Sequence, residues 1–78
     1  TFVDVALLRW PIEEDRRQAL AARGASRLLL VDADTPAPDA ADCLEDWIRL
    51  PASQDDIDAR CRAIATRSIV HNSETPAL

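Results

Sequence analysis

The sequence contains no lysine, so all nine of its basic side chains are arginine. A lysine ammonium acting as a point charge on a phosphoryl group is therefore excluded from this chain. A single glycine, Gly24, excludes a phosphate-cradling glycine loop. One Phe and two Trp leave the core to Leu, Ile, Val and Ala, although 47% of the residues are apolar. No apolar run reaches the length of a membrane span, and no signal-peptide pattern is present. The acidic balance, a net charge of −5, argues against nucleic-acid binding by this segment, since phosphate contacts need a basic face.

Two cysteines, Cys43 and Cys61, and one histidine, His71, make no zinc pattern. His71 has no companion ligand or nucleophile. Cys61 falls on an apolar helix stripe and reads as a small buried hydrophobe, while Cys43 precedes a strand; a reduced, cytoplasmic setting is expected for both. No catalytic dyad, metal set, cofactor motif or small-molecule site stands out, and no enzymatic activity is expected. With 78 residues the chain is one domain, and a chain of this size buries only roughly 60% of its unfolded surface. So small an aliphatic core favours self-association. The chain starts at Thr1 without an initiator methionine, which suggests a trimmed N-terminus.

In chain order, residues 2–8 (FVDVALL) read as a buried strand. Pro11 is suited to open a helix. Glu13, Glu14 and Asp15 early and Arg16, Arg17 and Arg23 late complement its dipole. Glu13 and Arg17 form an i, i+4 pair, and Ile12, Ala19 and Leu20 supply an apolar stripe. Gly24 stands where a left-handed residue ends a helix. Residues 27–32 (RLLLVD) are a second buried strand, so strand, helix and strand form a parallel βαβ unit. Residues 33–44 lose periodicity and read as a long loop, with room for a helical turn in 39–44. Residues 46–50 are a third strand, ended by Pro51. Ser53 is an N-cap, with Asp56 three residues on, for a helix over 54–67. Ile57, Cys61 and Ile64 repeat at i, i+4, i+7 along one face of it. Residues 71–78 read as a polar tail or the start of a linker. The architecture is α/β: a three-stranded parallel sheet in the order β-α-β-loop-β-α, forming one domain over residues 1–70. Two open sheet edges are left for a partner to cover. Trp47 reads as core, and Trp10 as either core or exposed contact.

The stretch EDWIRLPASQDDIDARCRAI resembles the last strand and last helix of a bacterial response-regulator receiver domain. Asp46, Trp47, Pro51, Asp56, Ile57, Arg60 and Ala63 fall in register with that pattern. LLLVDADTP resembles the third receiver strand, where an Asp is followed four residues later by Pro; Asp32 and Pro36 fit. The resemblance covers about half the chain and implies a flavodoxin- or CheY-like fold. It implies Asp32 as phospho-acceptor and, in receivers linked to a winged-helix domain, a two-fold dimer face on the last strand and helix. Here that face is Asp46, Trp47, Arg49, Asp56, Arg60 and Arg62. The departures are chemical. The first strand ends Leu7-Leu8-Arg9-Trp10, without the acidic pair that holds Mg²⁺. The receiver's phosphoryl-binding lysine is Leu50 here, and a fourth strand is missing. The expectation is a shortened, degenerate receiver that works without phosphorylation as the dimerisation domain of a transcriptional regulator, reaching DNA only through a domain beyond Leu78. The alternatives are a receiver that does accept phosphate at Asp32 in two-component signalling, and a stand-alone interaction module. For Asp56–Arg60 and Asp58–Arg62 the competing reading is plain i, i+4 pairing on a solvated helix.

Overall fold

A computed structural model describes residues 5–73. The elements are β1 (Val5–Trp10), α1 (Glu14–Ala22), β2 (Ser26–Val31), β3 (Glu45–Arg49) and α2 (Gln54–Ser73). Both strand pairings are parallel and the sheet order is β1-β2-β3, so β2 is central and β1 and β3 are edges. The fold is α/β and compatible with a shortened CheY-like topology. No helix among the described residues is long and apolar enough to cross a membrane.

The pleat sorts the side chains to two faces. Val5, Leu28, Leu30 and Ile48 pack against Ile57, Cys61 and Ile64 of α2. Leu8, Leu29 and Val31, flanked by Trp10 and Trp47, pack with Leu20 of α1. The two helices thus cover opposite faces. The expected α2 stripe is the one that docks: Ile64 is fully buried and Cys61 nearly so. Ser53 caps α2, its Oγ accepting the Asp56 N–H at 3.1 Å. Asp55 and Asp56 add negative charge to the first turn. Gly24 ends α1 at φ +70°, a backbone conformation that L side chains rarely adopt. The amides of Gly24 and Ala25 bond the carbonyls of Ala21 and Leu20, a Schellman closure.

Several boundaries differ from expectation. β1 runs to Trp10, and residues 1–4 lie outside the described part, as do 74–78. α1 opens at Glu14, not Pro11. Glu13 instead folds back on Arg9, donating its N–H to the Arg9 carbonyl at 2.8 Å. Residues 11–13 are therefore a turn, and Ile12 is 75% exposed rather than part of a stripe. Ala19 is also exposed, so Leu20 is what α1 gives to the apolar cluster on its face. Glu13 pairs with Arg16, leaving Arg17 for Glu14 and Glu45. Residues 33–44 form no helix, only hydrogen-bonded turns, one at 33–34 and one at 43–44 that the Glu45 N–H closes on the Asp42 carbonyl. α2 runs on to Ser73, so His71 lies in the helix and not in a tail. Neither cysteine is in a disulfide; Cys43 is exposed and Cys61 buried.

Candidate association surface

β3 has β2 on one side only, and α2 follows it after a turn at residues 50–53. Between the outer edge of β3 and the first turns of α2 lies an open groove of about 540 Å³. Its apolar lining is Trp47, Ile48, Pro51, Ala52 and Ala59; its polar lining is Arg49, Asp56 and Arg60. Positions 56, 59 and 60 share a helix face, which is why they line it together. Of the six residues expected on a dimer face, four line this groove: Trp47, Arg49, Asp56 and Arg60. Asp46 sits at its margin, bonded to Arg60, while Arg62 is exposed on α2 outside the lining.

The polar groups differ in how firmly they are held. The Asp46 carboxylate uses both oxygens. Oδ1 accepts the N–H of Trp47 at 2.8 Å; Oδ2 meets Arg67 at 3.1 Å and Arg60 at 3.5 Å. Arg67 is the tighter partner, so Arg60 is lightly held and half exposed. The i, i+4 pairs Asp56–Arg60 and Asp58–Arg62 do not form: Arg60 turns to Asp46, and Asp58 accepts from Gln54 at 2.9 Å. Asp56 makes no ion pair among the described residues; it is exposed and lines the groove. Arg49 lies over the Trp47 ring, 5.1 Å from its centroid. It also donates to the carbonyls of Asp32 and Thr35, which ties the start of the 33–44 loop to β3. Trp47 is half-buried rather than fully core; it packs against the α1-side cluster and also lines the groove.

Asp32 follows the last residue of β2, at the carboxyl end of the central strand. Its carboxylate is held by the Arg9 guanidinium at 2.6 Å, with both side chains partly exposed. Among the described residues no three His, Cys, Asp or Glu side chains gather as a metal site requires.

One cluster was not anticipated. Arg27 and Glu45 are register partners on the α1 face of β2 and β3, and both side chains are fully buried. Glu45 accepts from Arg27 Nε at 2.8 Å, from Arg17 at 3.0 and 2.7 Å, and from the Ala41 amide at 2.8 Å. Arg27 also meets Asp42 at 2.8 Å, and Arg17 the Asp39 carbonyl at 2.7 Å. Burial pushes the Glu45 carboxyl up, but bonds from Arg17, Arg27 and the Ala41 amide outweigh it and hold the pKa down at about 2. Arg17 is held more firmly protonated, first by its hydrogen bond to Glu45. No buried side-chain polar atom among the described residues is left unbonded. A closed, mutually satisfied set with no open valence is a structural tie, and it fastens the 33–44 loop over the α1 face. Burial also raises the Cys61 thiol, with Asp58 adding to the effect.

The chain matches no protein-family model, no curated protein and no solved structure.

Proposed function

We propose that this chain is a non-enzymatic regulatory and self-association module, the receiver-like part of a bacterial DNA-binding transcriptional regulator, acting in the cytoplasm without phosphorylation. The observation that carries the reading is the β3–α2 groove, which gathers Trp47, Arg49, Asp56 and Arg60 on an open sheet edge. A two-fold contact needs one surface to be its own complement. This one offers an apolar floor, a carboxylate at Asp56 and a lightly held guanidinium at Arg60, one helical turn apart. The response-regulator part of the reading rests on the sequence resemblance alone, and the net charge of −5 argues against DNA binding by this segment itself. Independence from phosphate is supported by Leu50 in the lysine position and by Arg9 occupying the Asp32 carboxylate.

Light scattering across a concentration series tests the self-association. The expected mass is that of a dimer, falling to the monomer for Arg60→Glu, which sets like charges beside Asp46 and Asp56. A native monomer at high concentration, or an unchanged dimer in the variant, rejects this face. Incubation with Mg²⁺ and a small phosphodonor, read by intact mass, tests the rest. A phosphoryl adduct abolished by Asp32→Asn would restore the phosphorylated reading. A winged-helix sequence encoded beyond Leu78 would support the tie to transcription.

A further inference from the structure

The two open edges of the sheet are less available to another strand than the topology alone suggests. In a parallel ladder, alternate residues of a strand bond one neighbour and the others turn their amides outward. Arg27 donates to the Leu44 carbonyl, and Leu50 donates to Val31. Even-numbered residues of β3 therefore face β2, and Glu45, Trp47 and Arg49 point their N–H groups out. Two of those three are already taken. The Glu45 N–H bonds the Asp42 carbonyl at 3.3 Å. The Trp47 N–H, at the centre of the edge, bonds the carboxylate of the residue before it, Asp46, at 2.8 Å. The far edge repeats the device. The Arg9 N–H bonds Glu13 Oε1 at 2.7 Å, while the Arg9 carbonyl accepts the Glu13 N–H at 2.8 Å.

We propose that Asp46 is an edge lock on β3: by occupying the outward Trp47 amide it keeps the sheet from accepting a further strand, so that this surface engages partners through side chains only. Three features fit that role. Asp46 is anchored from behind by Arg67 and Arg60 on α2, so its Oδ1 is aimed back at the edge and not left to rotate. The strand it protects carries Trp47 and Ile48, the aromatic and β-branched residues that would favour pairing. The same acceptor chemistry recurs at Arg9 from an unrelated segment, so edge closure is not peculiar to one turn. The inference stands apart from the proposed dimer: a chain that proves monomeric would still need its β3 edge closed.

Amide hydrogen exchange on the native chain gives the first test. The Trp47 amide is expected to exchange about tenfold more slowly than that of Arg49, which also faces outward, as a bond of ordinary net strength predicts. Equal rates overturn the lock. The second test compares three variants with the native chain by light scattering at rising concentration. Asp46→Ala removes the acceptor and is expected to form larger species with new intermolecular β signal in the infrared. Asp46→Asn keeps a side-chain oxygen for the Trp47 N–H and is expected to hold the native mass. Arg67→Ala removes a charge partner but leaves the acceptor, and is also expected to hold it. Native mass in Asp46→Ala, or growth in Arg67→Ala equal to that of Asp46→Ala, overturns the proposal. Should Asp46→Ala fail to fold, the native exchange comparison still decides.

Discussion

Arg27 and Glu45 face each other across the β2–β3 ladder with 2.8 Å between Nε and Oε1, and neither side chain reaches solvent. A buried ion pair is weak evidence of net stabilisation, because desolvation offsets most of the attraction. Breaking one is different, since the surviving charge is stranded. Glu45→Gln leaves two guanidinium groups, Arg17 and Arg27, without their shared anion. The expected loss is about 3–5 kcal/mol, against a total on the order of 4–12 kcal/mol for a domain of this size. Urea unfolding should show the variant largely unfolded or with a strongly lowered midpoint. A midpoint within error of the native one would mean that the cluster does not hold the fold.

How far the sequence carried the reading depends on the range of the interaction. Local signals were legible. Ser53 and Asp56 marked the start of α2, Gly24 the end of α1, and Ile57, Cys61 and Ile64 the stripe that docks. Each depends on neighbours within one or two turns. The Arg17–Glu45–Arg27 tie was not legible, because its three members come from different elements, and only the observed register places Arg27 opposite Glu45. A charged residue leading an apolar strand on each side was the available signal. Ile12 misled because its apolar character fitted a helix that begins two residues later. At the association surface, Trp47 and Arg49 on one strand face and Asp56 and Arg60 one helical turn apart were legible as pairs, and the groove brings the pairs together. That Asp46 spends its carboxylate inside the chain, on Trp47, Arg60 and Arg67, was not legible.

Ile64 is the core residue through which α2 is best tested. It is fully buried against Val5, Leu28 and Ile48. Ile64→Ala should cost about 2–5 kcal/mol, the transfer of the lost methylenes plus the cavity they leave. Ala63, its exposed neighbour, is the control: Ala63→Ser should stay within about 0.5 kcal/mol of native. Paired urea titrations decide. Equal midpoints for the two variants would mean that α2 does not pack on the sheet as described.

The Ser53 cap makes a smaller prediction. Its Oγ satisfies one of the orphan amides of α2, that of Asp56. Ser53→Ala should cost about 1 kcal/mol, which for a domain this small lowers the melting midpoint by about 4–8 °C. Ser53→Asp keeps an acceptor and adds charge at the positive end of the dipole, so it should melt near the native temperature. Calorimetry on the three chains checks the order; an alanine variant as stable as native would show that water replaces the cap at no cost.

Acid stability follows from the same carboxylate that ties the loop. The Glu45 carboxyl is depressed in the folded chain to about 2 from an ordinary 4.5. Burial works against this, and the bonds from Arg17, Arg27 and the Ala41 amide prevail. A group with a lowered folded pKa leaves the unfolded chain binding more protons between the two values, so stability there rises with pH. Its contribution is whole above about 4.5 and is lost progressively as the pH falls towards about 2. Glu13, held down first by the Arg9 amide, and Glu14, held down first by Gln18, act in the same direction. The melting midpoint should therefore be nearly flat above the carboxylate range and drop steeply below it. Arg27→Met removes one of the groups that depress Glu45, so its acid drop should be shallower and begin from a lower plateau. A native midpoint unchanged down to about pH 2 would show that Glu45 titrates alike in the folded and unfolded chains, so that Arg17 and Arg27 do not depress it.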